Sequence, residues 1–115
     1  MKMSETYNNA LKAILSKVVQ VDENLGDKEL KKIDEIYFKL TGNHFSKTKI
    51  FNQILKSKNS ESIDDYLRKK IKSLKMVQKI NILHAVEEFV TSDGINHIKG
   101  EEFLSKLKKI IFEFK

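Results

Sequence analysis

The stretch FVTSDGINHIKGEEF, residues 89–103, interrupts sequence that is otherwise lysine-rich and helical in pattern. Its Asp-Gly pair favours a turn, because Asp93 can hydrogen-bond to nearby backbone amides and Gly94 tolerates a positive φ. An apolar helical period precedes the stretch, and another follows it. The stretch is therefore predicted to be a corner between two helices.

The same alternation of apolar helical periods and polar breaks continues along the chain, and no alternating strand pattern competes with it. Six helices are predicted: from a cap at Ser4 to about Val21, from a cap at Asp27 to Thr41-Gly42, from Ser46, from Ser60 or Ser62, over Val77–Val90, and from Gly100 onwards. The residues predicted to face a core are Tyr7, Leu11, Ile14, Val18, Val21, Leu30, Ile33, Ile36, Tyr37, Leu40, Ile50, Phe51, Ile54, Leu55, Ile63, Tyr66, Leu67, Ile71, Leu74, Val77, Ile80, Leu83, Val86, Val90, Phe103, Leu104, Leu107, Ile110, Ile111 and Phe114.

Composition points to one all-α domain. The chain has 115 residues, of which 40% are hydrophobic and 33% charged, with no proline and four glycines to punctuate helices. We expect a single compact bundle of about six helices over residues 1–115, with no signal peptide and no membrane insertion. The absence of cysteine excludes disulfides, thiol catalysis and cysteine-ligated zinc, and a cytoplasmic location fits it.

The formal charge of +6 is concentrated in the middle of the chain. Residues 46–80 hold ten basic and three acidic side chains, whereas residues 1–45 hold seven of each. A solvated helical surface explains such lysines, and a nucleic-acid surface is the alternative. Its candidate residues are Lys47, Lys49, Lys56, Lys58, Arg68, Lys69, Lys70 and Lys72.

A second corner repeats the pattern of the first. In each, an Asp is followed by an aliphatic residue and then, four residues later, by a Glu; these are Asp22, Leu25 and Glu29 in one, and Asp93, Ile98 and Glu102 in the other. The Asp can accept hydrogen bonds from turn amides, and the aliphatic side chain is predicted to fill apolar space under the corner. The Glu is predicted to meet the positive end of the next helix dipole.

With these two corners near its ends, the chain resembles the TerB-like domains associated with tellurite resistance. Residues 18–30 are similar to the first motif, with Glu23 where the family favours glycine, and residues 85–103 are similar to the second, with a two-residue insertion. The resemblance implies a helical bundle with two pseudo-repeated helix–corner–helix halves. It also implies a non-enzymatic role in stress response through protein partners, some of them membrane-associated, and an acidic site for a divalent metal such as calcium. By position, that site would use Asp22, Glu29, Asp93 and Glu102.

Other sites find little support in the sequence. Neither corner has the glycine and glutamate positions of an EF-hand loop. His84 and Glu88 lie one helical turn apart, but zinc needs at least one more protein ligand. No nucleophile, base and orienting group form a set, so we expect no enzyme. Phe112 and Phe114 are candidates for a partner-facing patch, where a homodimer contact is also possible.

Overall fold

The computed structural model describes residues 5–23, 25–57, 61–92 and 98–113. Within them the chain forms six α-helices and no strand, which confirms the all-α prediction. The helices are α1 (Glu5–Val21), α2 (Asp27–Thr41), α3 (Lys47–Lys56), α4 (Ile63–Ile71), α5 (Met76–Val90) and α6 (Ile98–Glu113). The proposed caps Ser4 and Ser60 lie outside the described residues, as do Phe114 and the turn from Asp93 to His97.

The first helix is the centre of the bundle. It packs against all five other helices, and its buried residues lie on more than one face: Tyr7, Ala10, Leu11, Ala13, Ile14, Leu15, Ser16, Val18 and Val19. The sequence predicted a single apolar stripe. A helix that is apolar around most of its circumference must be enclosed, so the other five helices are arranged around α1.

Two predicted helix starts are confirmed by their capping contacts. The Ser46 hydroxyl accepts a hydrogen bond from the Lys49 amide at the start of α3, and the Ser62 hydroxyl accepts one from Asp65 at the start of α4. The helix α2 ends as predicted at Gly42, whose φ of 78° lies in the left-handed region that glycine adopts without strain.

Two other helix starts were wrong. Gly26, and not Asp27, is the capping residue of α2, and Asp27 is the first helical residue, where its carboxylate pairs with Lys47. The helix α6 extends back to Ile98, so that Gly100 is buried inside it and does not begin it.

The predicted core is largely confirmed, with errors on α3 and α5. Phe51 and Leu55 were expected to face inward, but they are 38% and 65% exposed. The short helix α3 packs only against α1 and α2 among its strong contacts. Since successive helical residues are about 100° apart, only the side centred on Ile50 is enclosed. Val77, at the start of α5, is likewise 65% exposed instead of buried.

The corner between α2 and α3 is closed by a carboxylate and a buried ring. Asp34 accepts a hydrogen bond from the Phe45 amide at 2.5 Å, and its other oxygen lies 3.1 Å from His44 Nδ1. The Phe45 ring is fully buried and lies 5.2 Å from the Tyr37 ring. The sequence predicted corners of this kind, with a carboxylate and a buried side chain, but at residues 22–29 and 93–102. Leu25 and Ile98, predicted to be the buried plugs, are 40% and 57% exposed.

Phe45→Ala is expected to destabilise the protein by about 3–5 kcal/mol, because it removes a fully buried ring and leaves a cavity. The matched control is Leu25→Ala, which truncates an exposed side chain and is expected to change stability by about 0.5 kcal/mol or less. Urea denaturation followed by circular dichroism measures both. Equal losses in the two variants would contradict this account of the corners.

An ion pair joins α4 to the end of α6. Arg68 Nη2 and Nε lie 2.9 and 3.0 Å from the two carboxylate oxygens of Glu113. The hydrogen bonds from Arg68 lower the pKa of Glu113, and the same contact raises the pKa of Arg68. Because the folded-state pKa of Glu113 is depressed, its contribution to stability is present above the ordinary glutamate pKa and is lost as the pH falls through the folded value.

Glu113→Gln is therefore expected to lower the melting temperature at pH 6 and to lose this effect progressively as the pH falls through the folded-state pKa of Glu113, because a protonated glutamate is neutral like glutamine. Thermal melts of the two proteins across that range measure the difference. The control Glu35→Gln changes an exposed carboxylate on α2 and is expected to show no such convergence. A difference for Glu113→Gln that does not depend on pH would rule out the ion pair as its cause.

Candidate functional site

The first corner has a left-handed residue at the end of α1. Glu23 has a φ of 60°, and its amide donates a hydrogen bond to the Gln20 carbonyl at 3.1 Å. This is the position where the resemblance favours glycine, and glycine adopts such a φ without strain. Many unrelated helices also end with a residue in this conformation. The conformation of Glu23 is therefore no test of the resemblance.

The acidic residues of the two corners occupy different positions. Glu29 lies in the first turn of α2, as predicted, and is 8% exposed. Glu102 is exposed and lies beyond the first turn of α6, so it cannot meet the dipole in the same way. The aliphatic residues differ too, since Leu25 precedes the cap of α2 while Ile98 is helical. The sequence repeat therefore does not produce two equivalent helix starts.

The corners do approach each other, through opposite charges. Lys99 Nζ of α6 lies 2.8 Å from the Glu23 carboxylate after α1. Among the described residues, no three His, Cys, Asp or Glu side chains are placed so that they could hold a metal ion. Asp22, Glu29 and Glu102 therefore do not form a three-ligand site. Asp93 lies outside the described residues, and the predicted four-residue site stays a prediction.

In the second candidate metal site, His84 with Glu88, the glutamate contacts lysine side chains. Both carboxylate oxygens of Glu88 lie 2.8 Å from Lys39 Nζ, and Lys32 is 3.7 Å away. These contacts join α5 to α2. The Glu88 carboxylate thus pairs with lysine and not with His84.

Lysines from three helices line two adjoining recesses, which we call the lysine cleft. A recess of about 190 Å³ is lined by Lys12, Lys49 and Lys56, and a second of about 360 Å³ is lined by Lys56, Lys69 and Lys70. Lys56 and Gln53 belong to the walls of both recesses, so the recesses adjoin. Four of these residues, Lys49, Lys56, Lys69 and Lys70, belong to the predicted nucleic-acid set.

The rest of that set is placed elsewhere. Lys47 pairs with Asp27, and Arg68 pairs with Glu113 and with Asp65. Lys72 is exposed just after α4 and lines neither recess, and Lys58 lies outside the described residues. Lys12 was not predicted, because it lies outside residues 46–80, where the excess of basic side chains is found. Its signal was its place at the polar edge of the apolar α1 pattern.

Tyr66 organises the electrostatics at the wider end of the cleft. Two lysines make cation–π contacts with its buried ring: Lys17 Nζ lies 4.8 Å and Lys70 Nζ lies 5.3 Å from the ring centroid. Burial raises the pKa of Tyr66, against an opposing hydrogen bond with Ser57. Partial burial lowers the pKa of Lys17, and the carboxylate of Glu61 opposes that change. Glu61 also lies 3.1 Å from Lys69 Nζ.

Another recess, which we call the α5–α6 groove, is more apolar than the lysine cleft. It has a volume of about 370 Å³ and is lined by Ile80, Leu83, His84 and Glu87 from α5, and by Leu104, Ser105, Lys108 and Phe112 from α6. Phe112 is 39% exposed, and Val77, one turn before Ile80 on α5, is 65% exposed. The sequence predicted a partner-facing patch at Phe112. The contribution of α5 to this surface was not predicted, because Val77 and Ile80 fit a core stripe equally well.

No family model matches the chain, and neither a curated protein nor a solved structure matches it. The resemblance to TerB-like domains therefore stays a prediction. No helix within the described ranges has the length and apolar character needed to cross a membrane.

Glu23→Gly is expected to be about 1 kcal/mol more stable than Glu23→Ala, because a left-handed φ strains any residue with a Cβ. Both variants lose the ion pair with Lys99, so their difference isolates the backbone strain. Denaturant titrations of the two variants measure it. Equal stabilities would show that the backbone at Glu23 is not strained.

Proposed function

We propose that this protein is a non-enzymatic domain that acts by binding a partner protein through the α5–α6 groove. The observation that carries the proposal is the apolar character of the groove. Ile80, Leu83, Leu104 and the exposed Phe112 line it. The exposed Val77 lies one turn before Ile80 on α5, and residues three apart on a helix are neighbours on its surface. Exposed apolar surface of this kind, next to charged residues, is typical of protein interaction sites.

The shape of the groove favours a helix as the bound segment. A furrow between two packed helices accepts the ridge of side chains of a third helix. From Ile80 to Glu87 the α5 wall is about 10 Å long, from the helical rise per residue. This matches an amphipathic helix whose apolar residues recur at i, i+3 or i+4, and i+7.

The charges lining the groove define the chemistry of that helix. Glu87 belongs to the α5 wall and Lys108 to the α6 wall. A helix with a basic flank towards α5 and an acidic flank towards α6 would be electrostatically complementary to it. Such a pattern would set the orientation of the partner more than its affinity.

The resemblance to TerB-like domains supports a protein partner, and a stress-response role rests on that resemblance alone. A cytoplasmic location is part of the proposal, and the absence of cysteine fits it. The proposal does not include the acidic metal site, because the described carboxylates of the two corners do not gather around one point. It does not include a homodimer either, which the test below treats as a competing outcome.

The test uses a displayed library of helical peptides with randomised residues at the i, i+3, i+4 and i+7 positions. Peptides selected on the wild-type protein are expected to lose at least about tenfold in affinity for Val77→Asp, because a buried unpaired charge is costly. The matched control Leu55→Ser alters an equally exposed apolar residue on α3 and is expected to bind as the wild type does.

Chemical-shift mapping with the selected peptide is expected to perturb Ile80, Leu104 and Phe112. Peptides that bind Val77→Asp as tightly as the wild type would overturn the proposal. Sedimentation measures the competing occupant: a wild-type dimer that Val77→Asp converts to a monomer would show that a second copy of this chain fills the groove.

A further inference from the structure

The lysine cleft concentrates positive charge without matching negative charge. Of the residues that line it, five are lysines, Lys12, Lys49, Lys56, Lys69 and Lys70, and one, Glu61, is acidic. Glu61 pairs with Lys69. The other four lysines form no ion pair with any described residue. A recess lined mainly by one sign of charge, as this one is by five lysines against one glutamate, focuses its field on whatever enters it.

Two of these lysines are positioned by contacts with aromatic rings. Lys70 lies over the face of the buried Tyr66 ring, and Lys12 lies 5.9 Å from the centroid of the Tyr37 ring. Both lysines are half-buried, whereas Lys49 and Lys56 on α3 are exposed. The cleft therefore combines two ammonium groups that lie against aromatic rings with two on exposed side chains. Lysines that only cover a helix flank lie along one helix, whereas these come from α1, α3 and α4.

The floor of the cleft leaves room for a ligand. Ala13 of α1 lines the wider recess, and its side chain is too small to fill the space between α3 and α4. The amide side chains of Asn9, Asn52 and Gln53 lie in the same walls. Amides both donate and accept hydrogen bonds, so they can contact phosphate oxygens, sugar hydroxyls and base edges.

We propose that the lysine cleft binds the phosphate backbone of single-stranded nucleic acid without reading its sequence. Lysine is a strongly hydrated point charge that neutralises phosphate without the paired geometry of arginine, which suits binding that ignores sequence. A flexible single strand can enter a recess between helices, as in other charged grooves for single strands. A duplex stays straight over a length far greater than the 35 Å extent of this protein and presents a convex surface.

The test measures fluorescence anisotropy of a labelled oligothymidylate of about twelve nucleotides, a length within the usual range of single-strand sites. With four or five phosphate contacts, the slope of log affinity against log salt is expected to be about −3. In Lys56→Gln/Lys70→Gln, the slope is expected to become shallower by about 1.4, and affinity at low salt to fall at least about tenfold.

The matched control Lys28→Gln/Lys106→Gln removes the same formal charge from exposed lysines on α2 and α6. It is expected to keep the wild-type slope, and so is Lys56→Arg/Lys70→Arg, which keeps the cleft positive. Equal losses in both glutamine variants would overturn the site, because net charge alone would then explain the binding.

Two further probes decide the class of ligand. Tighter binding of a duplex of the same sequence would overturn the assignment to a single strand. Polyglutamate that competes as well as the oligonucleotide, at equal charge, would overturn the assignment to nucleic acid and leave an acidic protein as the partner. Melting curves of each variant show that the fold is kept. The lysine cleft and the α5–α6 groove lie on different helices, so either site can fail alone.

Discussion

The enclosure of α1 is the constraint on which the rest of the structure depends. Its apolar side chains point in several directions, and no single neighbouring helix can cover them all. Burying one such side chain contributes roughly 1.5–3 kcal/mol, so leaving one side of α1 open would remove a large part of a domain's net stability. Five helices around a central one satisfy this requirement, and this arrangement fixes where the corners between them lie.

The two candidate surfaces arise from the way this enclosure is achieved. On the side of α3 and α4, the small residues of α1, such as Ala13, leave a recess whose edges are formed by lysines. The helices α5 and α6 pack on α1 and on each other, and apolar side chains of both line a furrow between them. Both recesses are consequences of packing, but their side chains differ in a way that packing does not require.

The helices could be predicted from the sequence because each carries a 3.6-residue apolar period that its neighbours do not disturb. Ser46, Ser62 and Gly42 act within one turn of the backbone, and for that reason they were placed correctly. Phe51, Leu55 and Val77 were placed wrongly, because the width of an apolar stripe does not tell how many helices will cover it. Each recess is lined by side chains from two or more helices, and no local pattern encodes it.

The prediction that Leu25 and Ile98 are buried in the two corners was wrong for a related reason. The spacing of Asp, aliphatic residue and Glu is similar in both stretches, but the helices begin at different points within it, so Leu25 and Ile98 are exposed. The corner that does combine a carboxylate with a buried residue joins Asp34 to Phe45, eleven residues apart across a helix end. A contact of that range has no short sequence signature.

The charged side chains fall into two groups, those whose ion pairs join packed helices and those that form no such pair. Arg68 with Glu113 and Lys39 with Glu88 each join two helices that pack together, so their positions follow from the bundle. Lys12, Lys49, Lys56 and Lys70 join nothing of that kind within the described residues and repel one another. Exposed ion pairs stabilise proteins only slightly, and like charges oppose the compact state. No ion pair of the bundle requires these four lysines to converge, and their convergence is the observation on which the proposed anionic ligand rests.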